Sequence, residues 1–109
     1  MNHPLKEIIS SLNKQADLLS KARNAYLTRE AERKHFESTL IQSSPGKSHA
    51  ERVINAQATK EWVAFHKDLA RLQAVFEFQK LKWDVLDREF LAQHLALKLD
   101  DLSVKRNIE

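Results

Sequence analysis

The sequence predicts an all-α protein: an elongated antiparallel helical hairpin, coiled-coil-like, with a short connecting helix. Three observations predict it. One glycine and two prolines in 109 residues leave few places where a helix must stop. Apolar residues in both halves of the chain recur at alternating three- and four-residue steps, the spacing of helices that pack along a seam. The one Pro-Gly pair, at Pro45-Gly46, falls between two long helix-permissive runs. The reading is a single helical domain over 1–109. It has a first helix about 4–42, a turn 43–47, a short helix about 48–57, a long helix about 59–102 and a frayed tail 103–109.

The first helix opens at Pro4, because proline is tolerated in a first turn, with Asn2 or His3 upstream as the cap. Nothing then breaks it before Ser43, which makes it about 57 Å long at 1.5 Å per residue. Its seam reads Leu5, Ile8, Leu12, Leu19, Ala22, Tyr26, Phe36 and Leu40, with Gln15, Arg29 and Arg33 at the remaining places. That seam is polar in its middle. Drift of a straight helix offers an alternative, with Ala16, Leu18 and Ala25 turned inward and the arginines outward.

The stretch Gln42-Ser43-Ser44-Pro45-Gly46-Lys47-Ser48 carries a Gly-Lys-Ser triplet, which invites a phosphate-binding loop. Such a loop needs a further glycine four residues earlier, where Ile41 stands, and a preceding strand. Helix punctuation fits instead. Ser44-Pro45-Gly46 ends one helix, and Ser48-x-x-Glu51 is a capping box, with Ser48 accepting from the Glu51 amide and Glu51 returning to the Ser48 amide. Thr59 offers a second mark, capping the long helix with Glu61 in its first turn; the alternative is one unbroken helix from Ser48.

The long helix has two apolar faces. One runs Trp62, Phe65, Leu69, Leu72, Phe76, Trp83, Leu86, Phe90 and Leu97, with Gln79 and Gln93 as its polar places. The other runs Val63, Ala70, Ala74, Phe78, Leu81, Val85, Ala92, Leu95, Leu99 and Leu102. A helix apolar on two faces must bury both, and one partner helix covers one, so either the three helices fold on each other or two chains associate. The large residues of the second face, Phe78, Leu81, Val85, Leu95 and Leu99, are therefore the candidate self-association or partner interface. A homodimer is the expected state.

Composition narrows the chemistry. With no cysteine, disulfides, thiolate metal sites and cysteine nucleophiles are excluded, and a cytoplasmic setting is expected. The first thirty residues are too polar for a signal peptide, and no eighteen-residue apolar run offers a membrane span. Eighteen basic against fifteen acidic residues leave +3. The densest basic patch, Lys21, Arg23, Arg29, Arg33 and Lys34, is interrupted by Glu30 and Glu32. It reads either as a solvated helix face with pairs such as Glu30–Lys34, or as a nucleic-acid or acidic-partner surface. Glu32-x-x-His35 has a di-iron spacing but lacks the second copy and further glutamates that such a site needs. The carboxylate pairs Asp84 with Asp87 and Asp100 with Asp101 have no pocket signature around them. Lys80, Lys82 and Trp83 could stack bases, yet the seam spacing of Trp83 assigns it to packing. No catalytic residue, metal, cofactor or small-molecule substrate is expected.

Ala22-x-x-x-Tyr26-Leu27, Ser48-x-Ala50-Glu51-Arg52, Ala56-x-Ala58 with Trp62, and a long last helix containing Trp83 resemble a family of small helical bacteriophage and prophage proteins from replication and recombination gene neighbourhoods. The resemblance covers roughly residues 18–90. Val53-Ile54 and the apolar extension through Leu102 depart from it. It implies a non-catalytic accessory factor of phage DNA replication or recombination in the bacterial cytoplasm, touching DNA or a phage or host DNA-processing protein. Its rivals are a protein-binding inhibitor of a host nuclease or defence complex, CRISPR-type included, and a coiled-coil assembly subunit.

Overall fold

The structure, a computed structural model, describes residues 4–108, with side chains over 5–104. The Asn2 or His3 cap lies outside the described residues. Three helices follow in order: α1 Pro4–Ser43, α2 His49–Gln57 and α3 Lys60–Ile108. The two long helices pack against each other as a hairpin, with α2 as the short connection. Helical structure continues through residues 103–108, where a frayed tail was expected, since no glycine or proline there interrupts it.

Local chemistry explains the breaks. The Ser43 and Ser44 hydroxyls both donate to the Leu40 carbonyl, at 3.1 and 2.7 Å, and so close the end of α1. Gly46 then adopts φ +153°, and a Cβ there would sit 2.8 Å from the Arg52 amide nitrogen. Only glycine takes that turn without strain. Ser48 accepts from the Glu51 amide at 3.2 Å and starts α2. The return bond differs from the expected box: the Glu51 carboxylate accepts from the Lys47 amide at 2.9 Å, not from Ser48. Lys47 is thereby part of a cap. Thr59 accepts from the Trp62 amide at 3.2 Å and donates to the Ala56 carbonyl at 2.7 Å, so one side chain ends α2 and begins α3.

By its internal contacts the chain divides into two compact units, 1–20 with 78–109 and 21–77. In the second, Phe36 stacks on Phe65 with ring centres 4.3 Å apart and Tyr26 on Phe76 at 5.9 Å. Later α1 residues thus meet earlier α3 residues, as an antiparallel pair requires. Phe65, Leu69 and Ala56 of α2 form its buried centre. In the first unit Ile8 is buried and Leu12, Trp83, Leu86 and Phe90 are half-buried. Its distinctive contact is polar. The Gln15 amide nitrogen donates to the Gln79 side-chain oxygen at 2.5 Å and to the Gln79 carbonyl at 3.1 Å.

The strict three-four seam of α1 holds along its whole length. All eleven places from Leu5 to Leu40, Gln15 and the two arginines included, are buried or half-buried. Ala16, Leu18 and Ala25, the inward set of the drift alternative, are exposed. The reason is visible in the partners: Gln15 has Gln79, the Arg29 guanidinium lies on the Phe65 ring, and both arginines reach carboxylates.

Candidate functional site

The basic patch lies within the 21–77 unit, and the structure divides it. The Arg29 guanidinium sits 4.3 Å over the Phe65 ring and between two carboxylates, Glu32 at 2.9 Å and Asp68 at 3.2 Å. Its Nε is enclosed and not aligned for a hydrogen bond, so the Asp68 contact is one of charge. Arg33 lies between Glu30 at 3.0 Å and Glu37 at 3.3 Å. Hydrogen bonds to Glu30 and then Glu37 raise its proton affinity further. Glu30 thus takes Arg33 where a Lys34 pair was anticipated. Asp68 is held below the usual carboxylate range, first by its hydrogen bond from Arg71 and then, against some desolvation, by the charges of Arg71 and Arg29. Two of the five candidate cations are therefore each flanked by two acids. Lys21, Arg23 and Lys34 remain exposed.

His66 joins the same network. Its Nδ1 lies 2.8 Å from the Trp62 carbonyl and its Nε2 3.1 Å from Glu37. Both neighbours are acceptors, so only the doubly protonated ring donates to both. Nearby, Phe36, Leu40 and Phe65 line an open groove of about 450 Å³, bordered by Glu32, His35 and Glu61. Among the described residues no three His, Asp or Glu side chains gather as metal ligands would.

The other candidate surface belongs to α3 in the unit of 1–20 with 78–109. Every place of the first α3 face, Trp62 to Leu97, is buried or half-buried, and every place of the second, Val63 to Leu102, is exposed. Within residues 78–102 the second face is large and wet. Phe78 is 54% exposed, Leu81 61%, Val85 57%, Leu95 59% and Leu99 61%. Their order, 78, 81, 85, 88, 92, 95, 99, 102, is an uninterrupted heptad seam with Arg88 its one charged member. Heptad geometry sets this seam roughly 150° around α3 from the one that meets α1. The Lys82 ammonium caps the Phe78 ring at 4.8 Å, and an open groove of about 570 Å³ lies between Ser11 and Lys14 of α1 and Leu81, Lys82 and Val85 of α3.

One property of this unit could not be read from spacing alone. Counting outward from the Gln15–Gln79 pair, eleven residues carry α1 back to Pro4, while eleven carry α3 only to Phe90. Helix α3 continues eighteen residues beyond, to Ile108. Leu95, Leu99, Leu102 and Val104 fall in that overhang, all more than half exposed. The signal that would have shown it is the register, fixed by two glutamines whose partnership is invisible until the helices are paired.

No helix among the described residues is long and apolar enough to cross a membrane. Comparison with protein-family models, with curated proteins and with solved structures finds no match to this chain.

Proposed function

We propose that this chain is a non-catalytic protein-binding hairpin whose working surface is the outer face of α3 over residues 78–102. One observation carries the reading: an eight-place heptad seam with its large apolar residues exposed. Contiguous apolar patches of this kind mark interaction sites, and helices recognise one another through this spacing. The geometry favours protein contact over phosphate contact. Arg29 and Arg33 already lie between carboxylates, and each would have to leave two acids to reach DNA. In the phage setting that the resemblance implies, the chain would serve DNA replication or recombination, or oppose a host nuclease, by holding another protein.

The test compares affinity capture by the unaltered chain with capture by a Leu81→Lys/Val85→Lys chain, both expressed in bacteria beside an untagged copy. The unaltered chain should retain a stoichiometric protein, its own copy included, that the lysine variant loses. Binding partners retained undiminished by the lysine variant would refute the assignment. Steeply salt-dependent binding to plain duplex DNA, lost on Arg23→Glu/Lys34→Glu, would replace it with the nucleic-acid reading.

A further inference from the structure

We infer that the occupant of the α3 outer face is a second copy of this chain, laid antiparallel on the first and centred at Phe90. This rests on the reading of that face as a protein interface and names its partner.

The seam is complementary to itself when reversed about residue 90. Phe78 then meets Leu102 of the second copy, Leu81 meets Leu99, Val85 meets Leu95, and Arg88 meets Ala92. All eight places are used, and each large apolar residue opposes another. The charged member faces the smallest, which leaves the Arg88 stem room to cross the seam and reach water. Sliding by one heptad sets Arg88 against Val85 or Leu99 and leaves two of the eight places on each chain unpaired. A single polar seam residue that penalises the wrong registers is how coiled coils fix alignment.

The flanks point the same way. In an antiparallel pair each flank faces its own counterpart. Asp84, half-buried just before Val85, meets Lys98, exposed just before Leu99, and does so twice by symmetry. Leu91, 55% exposed in the middle of that flank, meets Leu91 of the second copy. On the opposite flank Glu89 meets its own copy. The neighbouring Arg88 side chains offset that repulsion, which Glu89→Gln removes.

The chain has no cysteine, so introduced ones report the pairing. Oxidising a mixture of Val85→Cys chains and Leu95→Cys chains should give a disulfide-linked heterodimer, while neither chain alone cross-links, since like positions then lie about 15 Å apart along the helix. In sedimentation the unaltered chain should show a monomer–dimer equilibrium. Asp84→Lys should weaken it roughly tenfold, and adding Lys98→Asp should restore it. Cross-linking of Val85→Cys with itself would overturn the antiparallel register. Monomeric sedimentation from micromolar to millimolar would overturn self-pairing, leaving the face to a foreign protein if Leu81→Lys/Val85→Lys still abolishes capture. A dimer that survives Leu81→Lys/Val85→Lys, with circular dichroism unchanged, would overturn both readings.

Discussion

The Gln15–Gln79 contact should behave as a coupled pair whose removal is worse by halves than as a whole. Gln15 is 7% exposed and its amide nitrogen makes two hydrogen bonds, to the side chain and to the carbonyl of Gln79. Each is worth about 1 kcal/mol net. Gln15→Leu gives up both and leaves the partly buried Gln79 oxygen without its donor, a further penalty of about 1 kcal/mol. The added leucine burial returns about 1 kcal/mol, because the glutamine stem already packs against the seam. The single change should therefore destabilise by about 2 kcal/mol, and Gln79→Leu by about 1 kcal/mol, since Gln15 keeps the backbone carbonyl. The double leucine variant has no stranded polar atom and continues the apolar layers of Leu12 and Leu19. It should equal or exceed the unaltered chain by about 1 kcal/mol. Urea unfolding at one fixed protein concentration, scored by midpoint at constant slope, measures all four corners of the cycle. A double variant within about 0.5 kcal/mol of the sum of the singles would refute the coupling.

Gly46→Ala should destabilise by about 1–3 kcal/mol in thermal or urea unfolding, because φ +153° and the Arg52 backbone 2.8 Å from the new Cβ both oppose it. Ser48→Ala should cost about 1 kcal/mol through the lost cap, while Lys47→Ala, whose contribution is a backbone amide, should leave stability within experimental error. Gln93→Leu should stabilise by about 1–2 kcal/mol, since the Gln93 side-chain oxygen is enclosed without a donor at a seam position. Asp68 has a folded-state pKa below its unfolded value, so its contribution is present above the unfolded value and lost as pH falls through the folded one. Asp68→Asn should flatten the acid limb of a midpoint-versus-pH series.

Spacing carried the fold because both seams obey it without a break. On α3 each residue assigned to the α1-facing seam is covered and each residue of the second face is exposed, from Trp62 to Leu102. The Pro45-Gly46 break was legible because turn chemistry is local to a few residues, while Thr59 left two readings open, a fresh helix or one unbroken from Ser48, and the structure takes the first. What spacing could not supply was long-range pairing. Arg29 and Arg33 read as cations among acids four residues away at most, whereas Asp68 and Phe65 reach Arg29 from α3, and His66 reaches the Glu37 that also holds Arg33, only once the helices are aligned. The destination of the Glu51 carboxylate was missed on a smaller scale. Ser48 and Lys47 amides are one residue apart, and backbone geometry, not sequence, chooses between them.

The outer face of α3 changes character at one point. In the unit of residues 21–77 it carries one large apolar residue, Val63, and otherwise the small Ala70 and Ala74. From Phe78 on, where the other unit begins, its places are filled by phenylalanine, leucine and valine. Heptad spacing alone does not require that switch, since alanine would keep the helix as well or better. The first unit therefore holds more apolar surface than its own two helix segments can cover: α1 offers a single seam from Leu5 to Leu19 and α3 offers two. A segment built this way is completed by association, so its stability should be set by what occupies the face and at what concentration. The 21–77 unit, closed by two stacked aromatic pairs, a doubly capped α2 and Arg29 and Arg33 flanked by acids, exposes scattered large apolar residues such as Leu27, Ile54 and Val63 and not a continuous heptad seam of them.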